Sequence, residues 1–401
     1  MKSSHVRYTV LLPLVLAATV FLWCAPTGFF GNLGEVLTAT QQRTIAIFTF
    51  AALMWIFEIV PNWATSLMVI VISLLTISTQ SLPFIADTGD ASVFMSSKEL
   101  MRSFSDPMIM LFLGGFVMAI VASKYGIDVK LARIMFRPFG TAPKTVLLGF
   151  LVIIAVFSMF MSNTATATMF LTFLTPVLAT MPDSERGKAG LALAIPLAAN
   201  IGGIGTLVGT PPNATAAGIL ESNGISVSFT EWAFRMIPLV AVMIVLAWGV
   251  LIAFFPFTTK RIVIEIPEEK RKTTWRDRVV WVTFLLTLLL WITEQIHGIS
   301  CNVVALIPLA VYSATGIFTT EDMKEINWDI LWLVAGGFAL GYALNDTGLA
   351  EAMVRSIDFD SMSVAVTLVV AGLFCYFMSN FISNSATAAL LIPIMVALGR
   401  G

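Results

Sequence analysis

The chain has 401 residues, of which 58% are hydrophobic and 12% charged, with a mean hydropathy of +0.90 and a formal net charge of −1. Soluble domains carry about twice that charged share, so the composition defines an all-α polytopic membrane protein whose surroundings are a lipid bilayer. Basic residues confined to loops exclude nucleic acid as a partner, because binding a phosphate backbone requires a clustered basic surface.

Lys2 and Arg7 precede an apolar run over residues 8–24. No small-residue cleavage site followed by a polar mature region is evident, so this run reads as a retained first helix in an N-terminal region of residues 1–43. Further spans are expected at 44–60, 63–77 and 108–123. A long apolar stretch over 146–180 contains Ser158, Ser162, Asn163, Thr164, Thr166 and Thr168. A Gly- and Pro-interrupted span over 189–220 and a sixth span over 232–257 complete a first half, residues 44–257. A hydrophilic linker, 258–278, leads to spans at 279–296, 303–315 and 330–343 and then to a second polar cluster, Ser379, Asn380, Ser383, Asn384 and Ser385. Cys24, Cys301 and Cys375 stand singly in apolar surroundings and indicate neither a disulfide framework nor a metal site. With only His5 and His297 present, an HExxH centre is excluded.

Lys and Arg mark the cytoplasmic loops. The linker carries Lys260, Arg261, Lys270, Arg271, Lys272, Arg276 and Arg278, and the segment after the fourth span carries Lys124, Lys130, Arg133, Arg137 and Lys144. Both loops and the N-terminus are therefore expected on the inside, in the bacterial inner (plasma) membrane. Even crossing counts then require residues 146–180 to enter and leave on one side. Two arms of about 17 residues fit a re-entrant hairpin or two crossings, and polar residues at the turn favour the hairpin, since non-helical backbone at membrane depth must line a cavity.

The chain repeats itself. Leu111-Phe112-Leu113-Gly114-Gly115-Phe116 matches Leu333-Val334-Ala335-Gly336-Gly337-Phe338 at an offset of 222, and Gly126 matches Gly348 at the same offset. Ser162-Asn163 matches Ser383-Asn384 at 221, and Trp55-Ile56-Phe57-Glu58 matches Trp291-Ile292-Thr293-Glu294 at 236. The difference places about 14 extra residues near 80–97 in the first half. The segment after Gly126 is basic, whereas its mate carries Asp346, Glu351, Asp358 and Asp360 against Arg355. The halves 44–257 and 279–401 are therefore expected to have opposite topology, the inverted-repeat architecture of secondary transporters with broken helices near the midplane. The counterpart of Gly209 would fall past residue 401, so the second half is expected to continue beyond this sequence.

Ser162-Asn163-Thr164 and Ser383-Asn384-Ser385 at hairpin tips, with Gly209-Thr210-Pro211-Pro212-Asn213 in a broken helix, resemble the divalent anion/sodium symporters that carry dicarboxylates, citrate or sulfate. The resemblance covers about residues 44–401. It implies a homodimer in which the paired tips and broken-helix loops hold Na+ and the substrate carboxylates. Ser385 stands where the first tip has Thr164, keeping the hydroxyl without the methyl.

A hard monovalent cation seeks several oxygen ligands, and Ser, Thr and Asn side chains with unwound backbone carbonyls supply them. The first-half Na+ ligands are expected to be Ser158, one turn before the tip, with Ser162, Asn163 and the Gly209 carbonyl. Ser379, the Ile382 carbonyl and Asn384 are the second-half equivalents. The anion is expected between the tips, at Ser162, Asn163, Thr164, Thr210, Ser383, Asn384 and Ser385, facing helix N-termini. These motifs contain no Lys or Arg, so the coupling ion, Na+, has to bring the positive charge; no organic cofactor is expected.

Blander readings compete. Buried Ser, Thr and Asn often serve as glue between helices, although recurrence in register disfavours that reading. Gly202-Gly203-Ile204-Gly205 reads as close helix packing or as a break, and the Pro pair after it favours the break. Glu58 and Glu294 read as solvated carboxylates at span ends, Trp55 and Trp291 as packing or interfacial anchors. Na+-coupled uptake of small dicarboxylates is the preferred function. An exchanger or H+-coupled carrier of citrate, sulfate or arsenite, or a channel, is the alternative; a membrane enzyme is disfavoured because no catalytic Ser–His, paired Asp or metal motif is visible.

Overall fold

A computed structural model describes residues 7–35, 37–87, 94–182, 184–264, 274–356, 364–381 and 383–399. Ile382, Asp358, Asp360 and linker residues 265–273 lie outside that description. The described chain is almost wholly helical; the β pairing among these residues is an isolated bridge between Ser78 and Met95. In order, the main helices are α1 (Leu12–Cys24), α2 (Ala39–Phe57), α3 (Asn62–Thr76), α4 (Pro107–Lys124), α5 (Ile127–Phe136), α6 (Pro143–Ser158), α7 (Asn163–Thr180), α8 (Arg186–Gly203), α9 (Pro211–Ser222) and α10 (Phe229–Phe254). They continue with α11 (Trp275–Ile292), α12 (Cys301–Ala314, with a turn at Ala305), α13 (Trp328–Asp346), α14 (Leu349–Ser356), α15 (Val364–Phe381) and α16 (Asn384–Leu398). Among the described residues, Arg7–Cys24, Ser97–Lys124 and Phe229–Phe254 are long and apolar enough to cross a membrane.

The chain forms two compact units that interleave along the sequence. The first comprises Met1–Ile109, Thr215–Ser226 and Asn327–Gly401. In it α3 packs along α13, where a methyl group at Gly336 would come within 2.4 Å of the Ser66 side chain, so glycine alone permits this approach. Thr38 and Gln41 form a reciprocal capping box at the start of α2. The Gln41 amide also donates to the Thr347 carbonyl at the end of α13, 2.9 Å away, which satisfies one helix-terminal carbonyl.

The second unit comprises Met110–Ala214 and Val227–Ile326. Its core is built from α6, α7, α8 and α10 around Phe150, Phe157, Phe170 and Phe173, whose rings meet mostly edge to face. Here Gly114 takes the role Gly336 has in the first unit, since a methyl group there would lie 2.1 Å from the Ala305 carbonyl oxygen. Lys124, ending α4, pairs at 2.6 Å with the buried Asp322 and donates to the Ile317 carbonyl, tying the turn before α13 to the end of α4.

The matching tetrapeptides do the same job. Trp55 and Trp291 are both buried, and each indole N–H donates to the carbonyl of the first residue of the next helix: Asn62 at 3.2 Å and Cys301 at 3.0 Å. Of the two alternatives for these tryptophans, packing holds. Gly126 and Gly348 both take left-handed backbone (φ 64° and 70°), each turning the chain out of a long helix into a short amphipathic one. The extra residues of the first half hold the turn Pro83–Ala86 and the bridge to Met95.

One expectation needs correction. Glu294 is not a solvated carboxylate: it accepts from the backbone N–H of Phe229 at 2.9 Å and of Cys301 at 3.0 Å, capping α10 and α12 together, because orphan N–H groups at helix starts are better partners than the interface. Glu58 is exposed, as expected.

The first residues of the linker are packed against the rest of the chain. Thr258 and Thr259 give their hydroxyls (2.5 and 2.6 Å) and their amides (both 2.9 Å) to the Glu185 carboxylate, which also accepts from Gly187 N–H. Ile262 is buried and its N–H donates to the Thr141 carbonyl, so residues 258–264 strap the base of α6 and α8. The Thr258 and Thr259 hydroxyls, ahead of the amides, hold the Glu185 pKa down from 4.5 to about 2. A depressed folded-state pKa gives stability that is full above the unfolded value and is lost as pH falls from about 4.5 toward 2. Glu185→Gln is therefore expected to lower the melting temperature at neutral pH, with the gap to wild type closing over that acidic window.

Candidate functional site

In the second unit two helices end and two begin around one point. Helix α6 stops at Ser158 and α7 starts at Asn163; α8 stops at Gly203 and, after an irregular stretch over 204–210, α9 starts at Pro211. Helix α6 has 16 residues, a length of about 24 Å at 1.5 Å per residue. That is short of a hydrocarbon core of about 30 Å. Backbone that ends short of the interface must find its partners within the protein.

The tip resolves into named contacts. Ser162 has extended backbone and caps α7, its hydroxyl accepting from Ala165 N–H at 3.2 Å. The fully buried Ser158 hydroxyl lies 2.8 Å from Asn163 Oδ1 and 2.7 Å from the Ala199 carbonyl. Asn163 Nδ2 donates to Asn200 Oδ1 at 3.1 Å. Across the break, Thr206 donates its hydroxyl to the Met159 carbonyl, and Asn213 Nδ2 reaches back to the carbonyls of Gly203 (2.8 Å) and Thr206 (2.7 Å). Gly209 lies so close that a methyl group on it would meet the Gly203 carbonyl at 2.5 Å and the Ser158 carbonyl at 2.9 Å. Gly202 serves packing and the break at once, its face resting on the Ala155 backbone immediately before the helix unwinds.

Ser158, Asn163 and Gly209 are thus brought together. Thr164 is exposed in the first turn of α7, and Thr210 is half-buried immediately before α9. In the first unit the second tip repeats the cap: Ser383 accepts from Ala386 N–H at 3.2 Å and Asn384 opens α16, with Ser385 beside it. Ser379 differs from Ser158, since its hydroxyl donates to the Tyr376 carbonyl one turn back, at 3.0 Å. The structure does not bring Ser379 to Asn384 by a hydrogen bond.

Sequence reasoning missed Asn200, the Ala199 and Gly203 carbonyls, and the bracing roles of Thr206 and Asn213. The available signal was an amide at 200 inside an apolar helix, two residues before Gly202-Gly203.

The electrostatics follow from helix ends. The C-termini of α6 and α8 present carbonyl oxygens and negative partial charge, which suit a cation; the N-terminus of α7 presents N–H groups, which suit an anion, whereas α9 opens on Pro211 and Pro212, which have no N–H, and the Asn213 N–H is bonded to the Thr210 carbonyl at 3.1 Å. Broken helices with such ends in an apolar helical chain are the architecture of membrane transporters. Residues 52–401 match the citrate transporter family model, and the chain belongs to that family. It is 28% identical over 393 residues to a sodium-dependent dicarboxylate transporter of Staphylococcus saprophyticus, covering 88% of this chain and 72% of that protein. It is also 28% identical to an uncharacterized transporter of Schizosaccharomyces pombe and 27% identical to the inorganic phosphate transporter PHO87 of Saccharomyces cerevisiae. Each of those matches covers 90% of this chain, but the chain spans 41% and 39% of the two yeast proteins. The chain is a transporter by family and not an enzyme.

Proposed function

We propose Na+-coupled uptake of small dicarboxylates of the succinate, malate and fumarate type by alternating access. One observation carries the reading: Ser158 Oγ, Asn163 Oδ1 and the Ala199 carbonyl oxygen crowd within hydrogen-bond distance, with a single hydroxyl proton among them. Such a buried, electron-rich cluster at two helix C-termini has the chemistry of a monovalent cation site. Na+ held there by Ser158, Asn163 and the Gly209 carbonyl, with Ser162, supplies the positive charge that a dicarboxylate needs. Ser162, Asn163, Thr164 and Thr210 then donate to the anion at the starts of α7 and α9. The second tip contributes Ser383, Asn384 and Ser385, with Ser379 and Asn384 toward a second cation.

The staphylococcal relative supports this substrate class, and the yeast phosphate transporter supports an inorganic oxyanion as the second reading. Uptake of labelled succinate in Na+ and in choline, with malate, citrate, phosphate and sulfate as competitors, separates them. Expected is Na+-dependent uptake blocked best by malate. Equal uptake in choline removes Na+ coupling, and stronger block by phosphate moves the substrate to the second reading.

A further inference from the structure

Beside the strap of residues 258–264 lies a cavity of about 360 Å3, within the size range of small-ligand sites, roughly 300–1,000 Å3. Two elements wall it. The end of α7 contributes Val177, Thr180 and Met181, and the strap contributes Arg261, Ile262 and Val263. Exposure alternates along the strap: Ile262 is buried, whereas Arg261 is exposed and Val263 is 62% exposed. A guanidinium and several apolar side chains therefore share one recess.

That guanidinium has no counter-ion in the strap. Glu185 is the acid packed against residues 258–264, and its carboxylate is already engaged by the hydroxyls and amides of Thr258 and Thr259 and by the Gly187 N–H. Arg261 forms no ion pair among the described residues. Positive charge beside an apolar wall suits an amphiphilic anion, because a small polar anion would use the charge and leave Val177, Met181 and Val263 without a partner. The surroundings name the amphiphile. The strap follows the apolar helix α10, and Lys260, Arg261, Lys270, Arg271, Lys272 and Arg276 follow it in sequence. A basic cluster directly after a membrane helix is the pattern that attracts anionic lipid headgroups.

We propose that this recess holds an anionic phospholipid, with its phosphate on Arg261 and the first carbons of its chains against Val177, Met181 and Val263. The strap also bonds to Thr141 ahead of α6 and to Glu185 ahead of α8, so a lipid seated there holds the bases of α6, α7 and α8 together. The proposal is independent of which ion or anion is carried.

The test titrates the purified full chain in detergent micelles with dioleoylphosphatidylglycerol and with dioleoylphosphatidylcholine, bound lipid being read by native mass spectrometry. Arg261→Gln, Lys260→Gln and Thr180→Phe are compared with wild type. Arg261→Gln and Lys260→Gln remove the same charge, but Lys260 does not line the recess; Thr180→Phe fills the recess and keeps every charge. Wild type should bind phosphatidylglycerol at least about tenfold more tightly than phosphatidylcholine. Arg261→Gln should lose about tenfold or more of that affinity, as for a lost bond to a charged group. Lys260→Gln should lose less than about twofold, and Thr180→Phe should lose as much as Arg261→Gln. Melting temperatures in phosphatidylcholine alone show that each variant is folded; if Thr180→Phe is not, the two charge variants decide by themselves. Equal losses in Arg261→Gln and Lys260→Gln overturn the proposal in favour of diffuse attraction to the linker. Displacement of phosphatidylglycerol by millimolar inorganic phosphate also overturns it, since the site would then take a free ion.

Discussion

Replacing Gly202 with valine is expected to cost about 3 kcal/mol or more and to prevent recovery of folded protein. A methyl group there would sit 2.3 Å from the Ala155 carbonyl oxygen and 2.4 Å from Ala155 Cα, and both are backbone atoms of α6 that no rotamer change can move aside. Helices α6 and α8 carry the Ser158 hydroxyl and the Ala199 carbonyl of the proposed cation cluster, so separating them would dismantle that cluster as well as the core. Gly249 on α10 is the control, having nothing within 4 Å of where its methyl group would go. Gly249→Ala should be neutral or slightly stabilising, since alanine is the better helix former by about 1 kcal/mol. Thermal melts and size-exclusion profiles of the two variants decide the point.

Ser158→Ala is expected to raise the Na+ concentration for half-maximal uptake by roughly ten- to a hundredfold, as for loss of a bond to a charged group. The serine is fully buried and its hydroxyl lies against Asn163 Oδ1 and the Ala199 carbonyl, so under the proposed Na+ coupling the loss is expected to fall on the cation. The ranking of competing anions at saturating Na+ should change little. Ser385→Val, at a tip position offered to the substrate, should show the reverse pattern. Linkage makes each ligand strengthen the other, so the ratio of the two effects at saturating co-ligand is the quantity to read. A shift in anion ranking by Ser158→Ala, with only the Na+ response altered by Ser385→Val, would exchange the two roles.

The helical membrane fold, the positions of both tips and the break before Pro211 were legible in the sequence, because each is marked locally. Apolar runs set the helices, Ser162 and Ser383 are cap residues ahead of helix-forming runs, and Gly202-Gly203 with Pro211-Pro212 brackets the break. The contact of Ser158 with Asn163 could be anticipated too, from a hydroxyl one turn before the cap. What was illegible lies far along the chain from what it serves. Ala199 and Asn200 meet the tip across 41 and 37 residues. Glu185 binds Thr258 and Thr259 across 73 and 74 residues, and Glu294 caps Phe229 across 65. A carboxylate near a span end looks solvated in sequence, and only the packed chain shows which orphan N–H groups it reaches. Ser379 marks the other limit: it stands in register with Ser158, yet its hydroxyl turns back to its own helix.

In the proposed mechanism the anion site is electrostatically incomplete until the cation binds. Calorimetric titration of succinate into the purified protein, once in Na+ and once in choline at equal ionic strength, reads that dependence. Succinate should bind at least about tenfold more tightly in Na+, the size expected when one charged partner is supplied. Equal affinity in the two salts would contradict the claim and leave Ser158, Asn163 and the Ala199 carbonyl as a structural cluster only.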